Sequence, residues 1–284
     1  MSHYYQIKDG KAQRYIQLTK DGRESQRINK KQMVLDGAVI GTTDALKVLG
    51  DVGGLLQWTA GLGMDAGIQA MSENITIPSS DPSIKSRARE IHNVLKDAAA
   101  NRGTQMHDAI DAWLARKIDS DDAIDAEACY QVEKWLEQHG AKDFQTEHCF
   151  VWRGWINIAT GHVIPDTPDL HTESRRRVEV MNSSWIRVDV GGTSDFVSDA
   201  LLCDWKSVEA KKNGFRSHYL KECCQLALYR LGFGKSKAEC HNIYLDRASG
   251  LIVNAKQWTE EELRKGLVIV AMAFKYIEIA GEVE

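Results

Sequence analysis

The stretch from Gly191 to Ser207 constrains this chain more than any other. It runs Gly191-Gly192-Thr193-Ser194-Asp195-Phe196-Val197-Ser198-Asp199-Ala200-Leu201-Leu202-Cys203-Asp204-Trp205-Lys206-Ser207 and reads as two short strands joined by a tight turn. Phe196 and Val197 lie on the first strand; Leu201, Leu202 and Cys203 lead into the second. Each strand carries a carboxylate, Asp195 and Asp204. Side chains on a strand alternate faces, so Asp204 and Lys206 point the same way, about 6.6 Å apart. Two acids and an ammonium around one point can hold a divalent cation and steady an attacking water or a phosphate. The same tripeptide is also a common solvated surface pair. The apolar run Leu201-Leu202-Cys203 argues for burial, and buried acids beside a lysine need partners. On this stretch alone both readings stand.

The rest of the chain supplies a sheet and helices to hold that stretch. Residues 3–28 read as a β meander: Tyr4-Tyr5-Gln6-Ile7 and Tyr15-Ile16-Gln17-Leu18 flank Asp9-Gly10, a strong hairpin signal. Residues 42–72 read as helix, broken at Gly53-Gly54. Ser83 to Ala100 is predicted helical, interrupted by Asn101-Arg102-Gly103, with Thr104 capping a further helix over 105–117 that carries His107. A lone histidine on a partly apolar face is more often a core residue than a ligand. A helix over 123–139 is followed by period-two patterning: a strand over 144–152 carrying Glu147, irregular chain over 153–172, and a hairpin around Asn182-Ser183. After Ser207 come a basic loop, a helix over 217–231 with Gln225 and Tyr229 one turn apart, strands over 241–245 and 251–255, and a last helix opening on the capping box Thr259-Glu260-Glu261-Glu262. This order implies an α/β or α+β domain with a central mixed sheet flanked by helices.

Composition narrows the classes. The 284 residues are 43% hydrophobic and 27% charged, the profile of a globular protein with a sizeable core. A net charge of −4 excludes a chain that binds polyanions over its whole surface, so any nucleic-acid contact is a local patch. Three patches are candidates. Residues 8–31 hold eight bases against three acids; Arg175, Arg176 and Arg177 adjoin; and Lys206, Lys211, Lys212, Arg216 and Lys221 face Glu209 alone across 206–221. Each reads as a solvated face or a phosphate-tracking surface, and for 8–31 the solvated hairpin face is the first reading. No run of about 18 apolar residues suggests a membrane span, and the N-terminal residues lack a signal core. The six cysteines form no C-x-x-C pair, which points to free thiols in a reducing cytoplasm rather than disulfides or a zinc knuckle.

Taken together, Gly103-x-x-x-His107 on a helix, Gly192-x-x-Asp195 on a strand, Asp204-Trp205-Lys206 on the next strand and Gln225-x-x-x-Tyr229 on the following helix resemble the PD-(D/E)XK nuclease superfamily. The order is similar to its RecB-like branch, which includes phage exonucleases and the mitochondrial genome maintenance exonuclease. The similarity covers about residues 40–255. It implies a nuclease core over 101–284 with the meander and helical region of 1–100 packed on it as one unit. It also implies roles. His107, Asp195, Asp204 and the backbone carbonyl of Trp205 would hold Mg²⁺ or Mn²⁺; Lys206 would orient or activate water, aided if burial depresses its pKa; Gln225 and Tyr229 would position DNA or brace Lys206. Glu147 would be an outer-shell residue, and Arg175, Arg176, Arg177, Lys211, Lys212 and Arg216 would contact DNA.

The implied activity is exonucleolytic hydrolysis at linear DNA ends, single- or double-stranded, in phage-type recombination, replication or repair. It would take place in the cytoplasm of a bacterium or phage-infected host, with a single-strand annealing or binding protein as partner. An endonuclease on the same fold and a non-catalytic DNA-binding protein are the competing classes. Iron–sulfur relatives carry one cysteine before the histidine motif and three clustered near the C-terminus. Here no cysteine precedes residue 107, and Cys223, Cys224 and Cys240 lack the compact spacing, so no cluster is expected. With no P-loop segment, no nucleotide is expected either. Nothing in the sequence sets the oligomeric state.

Overall fold

The computed structural model describes residues 3–18, 23–25, 28–49, 82–116, 119–166, 184–210 and 220–283. Strands β1 (Tyr4–Lys8) and β2 (Lys11–Arg14) form a hairpin across Asp9-Gly10. Both turn residues take positive φ, 53° and 74°, the conformation that Asp-Gly favours in a two-residue turn. Because the turn is this tight, the second strand starts at Lys11 rather than Tyr15. Helix α1 (Lys30–Leu35) is capped by the Asn29 side chain, which accepts from the Lys31 and Gln32 amides. It leads to β3 (Val39–Gly41), then α2 (Thr42–Ala45) and a 3₁₀ turn over Leu46–Leu49. The remainder of the helix expected over 42–72 lies outside the described residues.

Helix α3 spans Pro82–Leu114 without a break at Asn101-Arg102-Gly103. A glycine inside a helix costs about 1 kcal/mol, but tertiary contacts fix this segment. Arg102 pairs with Asp125 at 2.6 Å on α4 (Ala123–Gln138), and Gly103 lies against Ser207. Thr104 does not cap; its hydroxyl donates back to the Ala100 carbonyl at 3.2 Å. Strand β4 (Gln145–Asn157) runs on through residues read as irregular, turns at an Asn157 side chain that accepts from the Ala159 and Thr160 amides, and returns as β5 (Val163–Pro165). Pro165 sits where a proline is tolerated, on a strand that among the described residues is paired on one side only. Of the hairpin expected around Asn182-Ser183, residues 177–183 lie outside the description, and Trp185–Val197 is one strand, β6. Then come β7 (Leu201–Val208), α5 (Leu220–Gly232), β8 (Glu239–Asp246), β9 (Ile252–Trp258) and α6 (Glu260–Val283). The capping box at the head of α6 forms as expected: Thr259 Oγ1 accepts from the Glu262 amide, and Glu262 accepts from the Thr259 amide.

The nine strands among the described residues make one mixed sheet in the order β2-β1-β3-β6-β7-β8-β9, with β4 and then β5 beyond β6. The β3–β6 and β7–β8 pairs are parallel; the others are antiparallel. One face packs Phe150, Val188, Val190 and Leu202 against Leu228 and Cys224 of α5 and Val270 and Ala271 of α6. The other packs Phe196, Cys203, Trp205 and Ile243 against Met106 and Ile110 of α3 and Val132 and Leu136 of α4. The fold is therefore α/β, a mixed sheet between two helical layers. No helix among the described residues is long and apolar enough to cross a membrane.

Candidate active site

Strand β6 creates the site by losing a neighbour. β4 pairs along one edge of β6 from Trp185 to Val197, except at Asp195, opposite Glu147. The other edge is shared. β3 pairs at Val190 and Gly191, and β7 pairs only at Phe196 and Val197. Between them, among the described residues, no strand pairs with residues 192–195 on that edge. Asp195 stands in this fork, where Asp195 Oδ2 accepts from the backbone N–H of Trp205 at 2.7 Å. The glycines at 191 and 192 are required by close approach: a Cβ at Gly191 would lie 2.3 Å from Tyr5 Cβ, and one at Gly192 would lie 2.7 Å from the Phe150 ring.

Helix α3 brings His107. Met106 and Ile110 are wholly buried and fix the helix rotation, which places His107 Nδ1 3.7 Å from Asp195 Oδ2. On β7, Asp204 and Lys206 point to the opposite face from Cys203 and Trp205, toward α5. Lys206 Nζ lies 2.5 Å from Asp204 Oδ2. Gln225 bridges the pair: its Oε1 accepts from Lys206 at 3.4 Å, while its amide nitrogen donates to Asp204 Oδ1 at 3.1 Å and to Tyr229 Oη at 2.5 Å. The six expected catalytic side chains thus fall into two adjacent clusters, His107 with Asp195 and Asp204 with Lys206, Gln225 and Tyr229, and the Trp205 amide on β7 ties the first to the strand of the second. At Trp205 the backbone group in evidence is the amide, donating to Asp195.

Two members were not anticipated. Asn242 Nδ2 donates to Asp204 Oδ2 at 2.7 Å, and Trp258 Nε1 donates to Asn242 Oδ1 at 2.6 Å. The signal was an asparagine inside the apolar run His241 to Leu245, since a buried amide must find partners. Which partners depends on the β7–β8 register, which pairs Asp204 with Asn242.

The electrostatics separate the two acids. Burial pushes the Asp204 carboxyl up to about 6, opposed by the Lys206 ammonium and reinforced by the charge of Asp195. Burial acts on Asp195 in the same direction, but the hydrogen bond and charge of His107, with Lys206, outweigh it and hold its carboxyl below the ordinary range. Two carboxylates compete for one ammonium, and Asp195, with His107 as a second partner, keeps its charge. Burial alone would lower Lys206, yet Asp204 and Asp195 outweigh it, so the amine is held above its usual value. A depression by burial, which would have aided proton transfer, is thus not what these protein groups produce. His107 is likewise raised, Asp195 overcoming the burial effect.

A cleft of about 680 Å³ opens over the fork. His107, Asp195, Tyr229 and Glu147 line it, with Tyr5 and Arg14 reaching in from the N-terminal hairpin. Asp204, 3% exposed, and Lys206 lie behind this lining. Glu147 has a backbone φ of 45°, an uncommon conformation for a glutamate, and its half-exposed side chain stands 3.9 Å from Arg14. Burial and the charge of Asp195 raise its carboxyl. Among the described residues, no three His, Cys, Asp or Glu side chains are arranged as a metal-binding group. The six cysteines are free thiols, with Cys149 half-buried and the others buried. Arg175, Arg176, Arg177, Lys211, Lys212 and Arg216 lie outside the described residues.

No protein-family model matches the sequence, and no curated protein matches it. Among solved structures, that of SSO0001 is similar over 51% of this chain and 55% of its own, at 14% identity and a TM-score of 0.30. The alignment spans about half of each chain, and so slight a likeness carries no argument about fold or activity.

Proposed function

We propose that this chain is a metal-dependent deoxyribonuclease of the PD-(D/E)XK type that hydrolyses phosphodiester bonds from DNA ends. The observation that carries the reading is the juxtaposition, beside one cleft, of the His107–Asp195 pair and the Asp204–Lys206–Gln225–Tyr229 cluster, tied by the Trp205 amide that donates to Asp195. These residues come from α3, β6, β7 and α5, more than a hundred positions apart.

The donor set fits a hard divalent cation. Asp195 and Asp204 offer carboxylate oxygens, as magnesium requires, and an imidazole beside them makes manganese acceptable. Asp195, Asp204 and His107, with the Trp205 carbonyl, are the groups that would hold it. A cation bound there would supply charge neutralisation at the phosphate and a more acidic water. The rest falls to the protein. Lys206, a compact ammonium, orients water and a phosphate oxygen beside the two acids. Gln225 keeps Lys206 and Asp204 in register and is itself held by Tyr229. Arg14, at the cleft wall, supplies positive charge to a DNA backbone on an otherwise acidic protein. The setting is phage-type recombination or repair in the cytoplasm, beside a single-strand annealing or binding protein.

The test is digestion of end-labelled linear DNA with and without Mg²⁺. Mononucleotides should be released only with metal, and not by Lys206→Ala. Circular single- and double-stranded DNA should survive; cleaved circles would make the enzyme an endonuclease. Parental activity in Lys206→Ala would remove the assignment altogether.

A further inference from the structure

Asn242 lies in the middle of β8, wholly buried between β7 and β9. Apolar β-branched residues are the ordinary occupants of such a position. A buried amide left unpaired costs on the order of 1–3 kcal/mol, so its two partners explain why it is tolerated. Trp258 Nε1, at the end of β9, donates to Asn242 Oδ1 at 2.6 Å, and Asn242 Nδ2 donates to Asp204 Oδ2 at 2.7 Å. An indole N–H can only donate. It therefore fixes the amide with its carbonyl toward Trp258 and its NH₂ toward Asp204.

The consequence falls on one carboxylate. Asp204 Oδ2 is held from two sides, by Asn242 and by Lys206 at 2.5 Å. Asp204 Oδ1 meets Gln225 at the longer distance of 3.1 Å. We infer that Asn242 and Trp258 are positioning residues for the reaction: together they pin Oδ2 and leave Oδ1 as the atom that Asp204 offers to a divalent cation. The inference rests on the nuclease reading of the site. Neither residue touches substrate; both act through Asp204, from the sheet side opposite the fork. Outer partners that orient a ligating carboxylate typically change metal affinity or activity by about 10- to 100-fold when removed.

Two variants test it in the full chain, with Mn²⁺ titrated calorimetrically and mononucleotide release measured with Mg²⁺. Trp258→Phe removes the indole N–H and frees the amide to turn. It should lower kcat about 10-fold and weaken Mn²⁺ binding, with KM for DNA unchanged. Asn242→Asp keeps the shape but sets an oxygen against Asp204; its loss in kcat should be nearer 100-fold. If Asn242→Asp does not fold, Trp258→Phe still decides. Lys256→Ala removes the ammonium 4.9 Å from the centre of the Trp258 ring but leaves the indole N–H, and should keep parental kcat. A lower melting temperature with parental kcat and Mn²⁺ affinity in Trp258→Phe would make the pair a structural brace and overturn the inference. So would an equal loss in Lys256→Ala. A parent chain that releases no nucleotides with Mg²⁺ would remove the nuclease reading and this inference together; an active parent with unaffected variants removes this inference alone.

Discussion

Gly103→Ala tests how α3 is seated over the site. A methyl built at Gly103 would lie 2.6 Å from Ser207 Oγ and 3.7 Å from Ser207 Cβ. The first distance is a clash; the second is ordinary contact. Two terms of similar size then compete. Alanine is favoured over glycine in a helix interior by about 1 kcal/mol. Moving the Ser207 hydroxyl off its preferred rotamer costs about 0.5–1.5 kcal/mol, and if α3 shifts instead, His107 moves from Asp195. In the parent background the substitution should therefore be close to neutral in stability and should lower activity. In a Ser207→Ala background the obstructing oxygen is gone, and the full helix gain of about 1 kcal/mol should appear. For a chain of this length that is roughly a 2 °C rise in melting temperature. The assay is a thermal double-mutant cycle over the four proteins, with nuclease activity measured alongside. Equal stabilisation in both backgrounds would refute the reasoning, because it would mean that Gly103 and Ser207 do not touch.

Three further outcomes follow from the geometry. Lys206→Met keeps the length of the side chain but leaves Asp204 and Asp195 without their shared ammonium; hydrolysis should be abolished and the melting temperature should fall, since removing one partner of a buried ion pair is destabilising. His241 is buried beside Glu239 at 3.3 Å and packs edge-on against Trp135 and His139; burial lowers its pKa, with His139 adding and Glu239 opposing. The folded state then binds fewer protons than the unfolded one, so stability should fall as pH drops below about 6.5, and His241→Gln should flatten that part of a melting-temperature profile taken from pH 5.5 to 7.5. Glu262 is held down to about 2, first by the Thr259 amide and also by Lys256; its contribution should be complete above about pH 4.5 and be lost toward pH 2, and circular-dichroism melts should show Glu262→Gln lacking that acid-side loss.

How much of this was written in the chain differs from feature to feature. The tight Asp9-Gly10 turn and the capping box at Thr259 were legible because each depends on residues a few positions apart. So were the pairings of Asp204 with Lys206 and of Gln225 with Tyr229, because a two-residue strand repeat and a one-turn helix repeat fix which side chains share a face; that the two pairs meet came only from the family resemblance. Helix α3 was misread at Asn101-Arg102-Gly103 because local propensity was outweighed by contacts with Asp125 and Ser207, which no neighbouring residue announces. The register that sets Asn242 beside Asp204 was equally silent: β7 and β8 are parallel, and parallel strands are joined by a long crossover rather than a turn that would fix their pairing.

The least legible feature is the one on which the site depends. Ile186, Val188 and Val190 share one core with Val197, while Phe196 belongs to the other. An even-spaced strand would have put Val190 and Phe196 on the same side, so β6 slips its alternation between Gly192 and Phe196. The slip occurs opposite Glu147, whose φ of 45° breaks the regular ladder of β4 at the same level. An unbroken β6 would keep Asp195 on the same side as Thr193, which meets the Tyr5 hydroxyl and the Cys149 thiol. The local distortion thus falls at Glu147 and Asp195, the two carboxylates of these strands that line the cleft. Backbone irregularities of this kind persist where the surroundings over-determine them; here β4 along one edge, and β3 and β7 sharing the other, do so.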